Sequence, residues 1–259
     1  MCFHIKAAVL IGSTLLSLAA NSAPSYFAND LGTLYEGATS VITALNENGV
    51  GAGWNYVPQT GGLTRLMFKD NAIIDLGGLN GGRGQGLTQA LGINNADTIV
   101  GVSRLSDEYT SHAFIYKNGE MTDLTPGLAG FAFASSINDS GVIVGAINST
   151  AVKWDEAATT SLGFYQAYRI NNLNWITGFN YGQAPVYVDG LLSFIGPRGS
   201  SLIGSGINDL GDIVGYGDFG WLFSGGQFTR LSMEAFDINN TKQIIGRANG
   251  VGILFDKGV

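Results

Sequence analysis

The sequence predicts an all-β chain: a six-bladed β-propeller with four short antiparallel strands per blade, closed by an N-terminal strand that joins the last blade. Three observations predict it. An apolar residue followed by Asn recurs six times, a glycine stands seven residues after each Asn, and the end of the chain lacks a strand that its beginning can supply. Fixed offsets repeated over a period of roughly forty residues mark a repeat architecture, which has to be recognised before single elements are assigned.

The recurring pairs are Leu45-Asn46, Ile93-Asn94, Ile137-Asn138, Ile170-Asn171, Ile207-Asn208 and Ile238-Asn239, and their glycines are Gly53, Gly101, Gly145, Gly178, Gly215 and Gly246. Three residues after each Asn stand Gly49, Asp97, Gly141, Asn174, Gly211 and Lys242. These are mostly types that tolerate a positive φ. An Asn that opens a bend and a left-handed residue that closes it make a tight hairpin with a bulge. The flanks alternate or are β-branched, as in Gly141-Val142-Ile143-Val144-Gly145. Each repeat therefore opens with two antiparallel strands, A and B.

A second signature supplies strands C and D. An aromatic stands at Phe68, Tyr116, Trp154, Tyr187, Phe223 and Phe255, three residues after Arg65, Ala113, Ala151, Ala184, Gly220 and Gly252. Eight residues beyond the first five aromatics come Leu76, Leu124, Leu162, Ile195 and Leu231. Between them lie Asp70-Asn71, Asn118-Gly119, Asp189-Gly190 and Gly225-Gly226, two-residue turns of the kind that needs positive φ. The third repeat has Glu156-Ala157 there and departs from the rule. The aromatic row and the Asn-to-Gly motif are expected in the core.

The sixth repeat reaches Val259 only four residues past Phe255, before a D strand forms. Phe27-Ala28-Asn29-Asp30-Leu31-Gly32 matches the D pattern of Ile73-Ile74-Asp75-Leu76-Gly77 with no A to C strands before it. The expectation is a ring cut between C and D, an arrangement that protects its sheet edges. An open β-solenoid is the alternative, and it would not need complementary ends.

His112-Ala113-Phe114-Ile115-Tyr116-Lys117-Asn118-Gly119-Glu120-Met121-Thr122-Asp123-Leu124, with Ile137-Asn138 through Gly145 as its second half, resembles the signature of the HAF family of probable extracellular repeats. The likeness is close in the second repeat and degenerate in the others. It implies export from a bacterial cell and a repeat architecture. It brings no established catalytic residues and no substrate.

Residues 1–23 read as a secretory signal peptide: Lys6, then an apolar run from Ala7 to Ala20, then Asn21-Ser22-Ala23. That run is shorter than the ~20 residues a membrane-spanning helix needs. Residues 24–259 form a single repeat domain, expected outside the cytoplasm, extracellular or periplasmic, with no membrane span after cleavage. Cleavage removes the sole cysteine, Cys2, and with it any disulfide, cysteine metal site or thiol nucleophile. It leaves 12 Lys and Arg against 20 Asp and Glu. An acidic chain without a basic run is a poor partner for nucleic acid, whose binding rests on phosphate neutralisation. With 39 glycines and 45% hydrophobic residues the chain is folded and rich in turns.

Function is less legible. In a four-stranded meander the A–B and C–D turns share one end and the B–C and D–A connections the other. The second set varies in length, and variable loops on a rigid scaffold are where binding usually sits. The candidate ligand-binding residues are Trp54, Tyr56, Arg83, Arg104, Asp107, Glu108, Tyr109, Tyr165 and Arg198. Aromatics beside Arg and carboxylates suit a sugar face or a peptide. The expected function is a non-enzymatic binding module for extracellular glycan or protein, without metal or cofactor. The alternative is a propeller hydrolase or lyase acting on extracellular polysaccharide, with Asp107 and Glu108 as the starting carboxylates. His112 fills a slot held by Thr64, Thr150, Gln183, Phe219 and Val251 elsewhere, which favours a structural polar role. Gly81-Gly82-Arg83-Gly84-Gln85-Gly86 precedes no helix pattern and reads as a linker, not a phosphate loop.

Overall fold

The structure is a computed structural model that describes residues 31–58, 62–79, 88–105, 110–156 and 158–256. It is all-β, with no α-helix among the described residues. The first repeat holds β1 (Thr39–Leu45), β2 (Gly51–Val57), β3 (Gly62–Lys69) and β4 (Ala72–Asp75), and the second β5 (Gln89–Ile93), β6 (Ile99–Arg104), β7 (Ser111–Lys117) and β8 (Glu120–Asp123). The third holds β9 (Ala132–Ile137), β10 (Ile143–Ile147), β11 (Thr150–Trp154) and β12 (Thr159–Ser161), and the fourth β13 (Gln166–Ile170), β14 (Ile176–Phe179), β15 (Ala184–Val188) and β16 (Leu191–Ile195). The fifth holds β17 (Leu202–Ile207), β18 (Ile213–Gly217), β19 (Gly220–Ser224) and β20 (Gln227–Leu231), and the sixth β21 (Glu234–Ile238), β22 (Ile244–Ala248) and β23 (Val251–Phe255). Each repeat pairs its strands in chain order as an antiparallel meander, and the pair Phe179↔Ile203 fuses the fourth and fifth into one eight-stranded sheet. With three four-stranded sheets and one three-stranded sheet, the whole is a propeller-like ring.

The Asn motif makes the A–B turn. In the third repeat Asn138 Oδ1 accepts the Val142 N–H at 2.9 Å while the Asn138 N–H donates to Val142 O at 3.1 Å. The other five Asn residues repeat both bonds. The closing residue has positive φ in every repeat, from 57° at Asp97 to 84° at Gly141. The glycine seven residues after the Asn is required by a close approach. A β carbon at any of the six would lie 1.9–2.0 Å from a strand A carbonyl oxygen, as Gly145 would from Phe133 O. Strand A shifts register opposite this glycine, a bulge that drives its backbone toward strand B. The C–D turns also have the expected geometry, with φ of 52° and 61° at Asp70 and Asn71 and 55° and 86° at Asn118 and Gly119.

The hydrophobic core lies between successive sheets. Ala52, Met67 and Leu76 of the first repeat pack with Ala90, Ile99 and Phe114 of the second. Further clusters fill the next four seams, joining Val100 to Trp154, Val144 to Ile176, Val186 to Trp221, and Val214 to Ile244. The aromatic row is core only in part. Trp154 is 6% exposed, whereas Phe68, Tyr116, Tyr187 and Phe223 are half-buried and Phe255 is 41% exposed.

The expected closing strand is not seen. Phe27–Asp30 lie outside the described residues, and Leu31 and Gly32 belong to no strand. Leu31 is 43% exposed, while its counterparts Leu76 and Leu162 are buried. Strand β23 pairs with β22 alone among the described strands, and Val251, Leu254 and Phe255 remain exposed on it. The expected signal peptide also lies outside the described residues.

Candidate functional site

The meander places the B–C connections and the links between repeats at one end of the strands. Trp54 and Tyr56 are expected there in a loop but stand on β2. The alternation Ala52, Trp54, Tyr56 continues the strand to Val57, which pairs with Gly62. Trp54 is half-buried and Tyr56 exposed. Arg104 ends β6, its N–H donates to Thr88 Oγ1 at 3.3 Å, and its buried Nε has no acceptor among the described residues. Tyr165 lies in the link before β13, and Arg198, exposed, in the link before β17. Arg83, Asp107, Glu108 and Tyr109 lie outside the described residues, as does the whole glycine-rich linker. Among the described residues no hydrogen bond or ring contact joins Trp54, Tyr56, Arg104, Tyr165 and Arg198 to one another.

Tyr165 instead belongs to a group that sequence reasoning missed. Its ring centroid lies 5.6 Å from Phe179, edge-on, and 4.7 Å from Tyr181, and Phe179 and Tyr181 are 5.2 Å apart. Phe179 ends β14, and Tyr181 stands in the B–C turn of the fourth repeat, 73% exposed. Hydrogen bonds from Ser149 and then Tyr181 hold the Tyr165 hydroxyl below the usual tyrosine range, and the bond to Tyr165 raises Tyr181. Two hydroxyls and three edge-on rings thus form one amphipathic platform at the loop end of the fourth repeat, with Ser149 of the third beside it. The available signal was spacing: Phe179 follows the motif glycine directly, and Tyr181 stands two residues further on, in the B–C connection.

A second polar group lies in the seam between the first two repeats. Arg65 occupies the slot that is Ala or Gly in the other five repeats, and it is 1% exposed. Its Nη2 donates to Ser103 Oγ at 3.2 Å, and its Nε has no acceptor among the described residues. Burial pushes the guanidinium down to about 10, partly offset by the charge of Asp75. Opposite Ser103 on β7 stands His112, 3% exposed. Its Nδ1 lies 2.6 Å from Asp123 Oδ2 and its Nε2 2.9 Å from Leu128 O. Both neighbours are acceptors, so a ring with protons on both nitrogens satisfies them. A Ser-His-Asp relay needs Nε2 aimed at the hydroxyl. Here it is engaged by a carbonyl, and His112 ties β7, β8 and the following link together.

At the opposite end the six A strands surround an axial cavity of about 370 Å³. Its wall carries a ladder: Asn46 Nδ2 donates to Asn94 O, Asn94 to Asn138 O, Asn138 to Asn171 O, Asn171 to Asn208 O and Asn208 to Asn239 O, at 2.8–3.1 Å. Each Asn therefore closes its own turn with Oδ1 and stitches to the next repeat with Nδ2. Aspartate could do only the first, having no donor. The ladder stops at Asn239, whose Nδ2 turns to Gln243 Oε1 at 2.8 Å.

Among the described residues no group of three His, Cys, Asp or Glu is placed to hold a metal ion, and no helix is long and apolar enough to cross a membrane. Comparison with protein-family models finds no match to the chain, and comparison with curated proteins finds none.

Proposed function

We propose that the chain is an exported, non-enzymatic binding module that recognises extracellular glycan with its loop end, carried on a closed six-bladed propeller. The single observation behind the glycan reading is the platform of Tyr165, Phe179 and Tyr181. Rings with hydroxyls at their edges stack on the apolar faces of sugars and bond their hydroxyl groups, with little conformational entropy lost on binding. Phe179 ends a strand and the three rings pack edge-on against one another, which lowers the ordering cost that binding has to meet. Export is supported by the N-terminal charge and apolar pattern and by the resemblance to HAF-type extracellular repeats. Closure is supported by the exposed edge of β23 and by the D-strand pattern of residues 27–32.

The test is a glycan array and a polysaccharide turnover panel run on the same purified protein. Binding without turnover, lost in Tyr181→Ala, is expected. Turnover abolished by Asp107→Asn or Glu108→Gln would establish the hydrolase or lyase reading instead.

A further inference from the structure

We infer that the six repeats are three copies of a two-repeat unit, and that the sixth repeat ends on a surface made to fit the first, with Asn240 meeting Glu47. This rests on the closed-ring reading proposed above, and it assigns the residues of the closing seam at the turn end.

Two layers of side chains alternate along the chain. Immediately after the ladder Asn residues come Glu47, Asn95, Asp139, Asn172, Asp209 and Asn240, so acid and amide alternate without exception. Three residues before each ladder Asn stand Thr43, Leu91, Ser135, Tyr168, Ser205 and Phe236, so hydroxyl and bulky side chain alternate in the same phase.

Both alternations are used. Thr43, Ser135 and Ser205 each donate to a strand A carbonyl of the following repeat, Ala90, Ala167 and Ala235, at 2.6–2.7 Å. In the outer layer Asp139 Oδ2 accepts from Asn95 Nδ2 at 2.9 Å and from Asn172 Nδ2 at 3.0 Å. Asp209 Oδ2 likewise accepts from Asn172 at 3.2 Å and Asn240 at 3.1 Å. The backbone follows, with each N–H donating to the Oδ1 of its successor: Glu47 to Asn95, Asn95 to Asp139, Asp139 to Asn172, Asn172 to Asp209 and Asp209 to Asn240, at 2.8–3.0 Å.

A carboxylate only accepts and an amide can donate, so unlike neighbours satisfy one another and like acids repel. An alternating ring closes without a fault only if its count is even. Six is even, and closing it sets Asn240 beside Glu47 and Phe236 beside Thr43, the same juxtapositions as Asn95 with Asp139 and Leu91 with Ser135. The two ends already face one cavity, since Asn46, Glu47, Asn239 and Asn240 all line it. Both ends hold the groups such a seam uses: the Glu47 carboxylate and the Asn240 N–H are the terminal members of the series. Asn239, half-buried where the ladder's five other Asn residues are buried, has the amide that would reach Asn46 O.

The test is a double-mutant cycle in the full chain, read as melting midpoint, together with deletion of residues 24–32. Asn240→Asp sets a carboxylate beside Asp209 and, in the closed seam, beside Glu47. Glu47→Gln should then lower the midpoint of the parent by about one to two degrees and raise that of Asn240→Asp by a similar amount, the shift that one polar contact produces in a domain of this size. Equal effects of Glu47→Gln in both backgrounds would overturn the inference. If the deletion lowers the midpoint while the cycle shows no coupling, the ring closes by its outer strand and the Glu47–Asn240 seam is wrong. If coupling persists and the deletion changes nothing, the seam stands and the outer strand is wrong. Coupling that grows with protein concentration would mean that a second copy supplies the partner, and would also overturn it.

Discussion

At the turn end one residue type holds one position in six repeats, makes the same two turn bonds each time, and in five of them reaches the next repeat. At the loop end the corresponding positions carry His112, Thr64, Gln183 or Phe219, with a guanidinium in one seam and three edge-on rings in the fourth repeat. The difference follows from what each end must satisfy. Turn-end polar groups are buried and close to other backbones, so each needs a fixed partner, and few side chains can both donate and accept. Loop-end groups share no common partner: Arg65 and His112 are buried on different acceptors while Tyr181 is 73% exposed, so these positions differ from repeat to repeat, and the exposed ones are where a ligand can be read.

Trp154→Ala should have the largest effect on stability. Trp154 lies in the seam between the second and third repeats, and truncation should destabilise by about 3–5 kcal/mol in denaturant melts, as large-to-small core changes do. A loss below about 1 kcal/mol would show that the seam is not the core. Asn138→Asp removes the amide that donates to Asn171 O at 3.1 Å and Asn174 Oδ1 at 2.9 Å. It should cost about 2–3 kcal/mol, because a buried carbonyl is left without its donor. A neutral result would reduce the ladder to a consequence of turn shape. Arg65→Met should have a smaller effect of the opposite sign, raising stability by about 1 kcal/mol, because a buried charge with no hydrogen-bonded carboxylate among the described residues is replaced by an apolar chain. A fall of the same size would show that the Ser103 bond outweighs desolvation.

The repeat, the A–B turn and the C–D turns were readable because each depends on residues close in sequence, such as the positive φ at Gly141 and Asn118. The second task of the ladder Asn was not, since Asn46 Nδ2 finds its acceptor 48 residues away in another sheet. The glycine was visible as a pattern, but its cause, the bulge opposite it, lies on a different strand. The long gap before strand C suggests a loop at Trp54 and Tyr56, although their alternation with Asn55 already spells a strand. Of the expected site residues that are described, only Tyr165 enters a group of rings, and it reaches Phe179 and Tyr181 through the pairing of Gln166 with Phe179 across β13 and β14, a register that adjacent residues do not reveal.

The most direct test of the division between the two ends is a calorimetric titration of an array-identified oligosaccharide into Tyr181→Ala and into Asn138→Asp, each below its melting midpoint. Tyr181 is 73% exposed, so its truncation should leave stability within about 0.5 kcal/mol of the parent while removing most of the binding heat. Asn138→Asp should bind with the parent's affinity despite its lower stability. Normal binding by Tyr181→Ala with loss in Asn138→Asp would place recognition at the turn end and contradict the account.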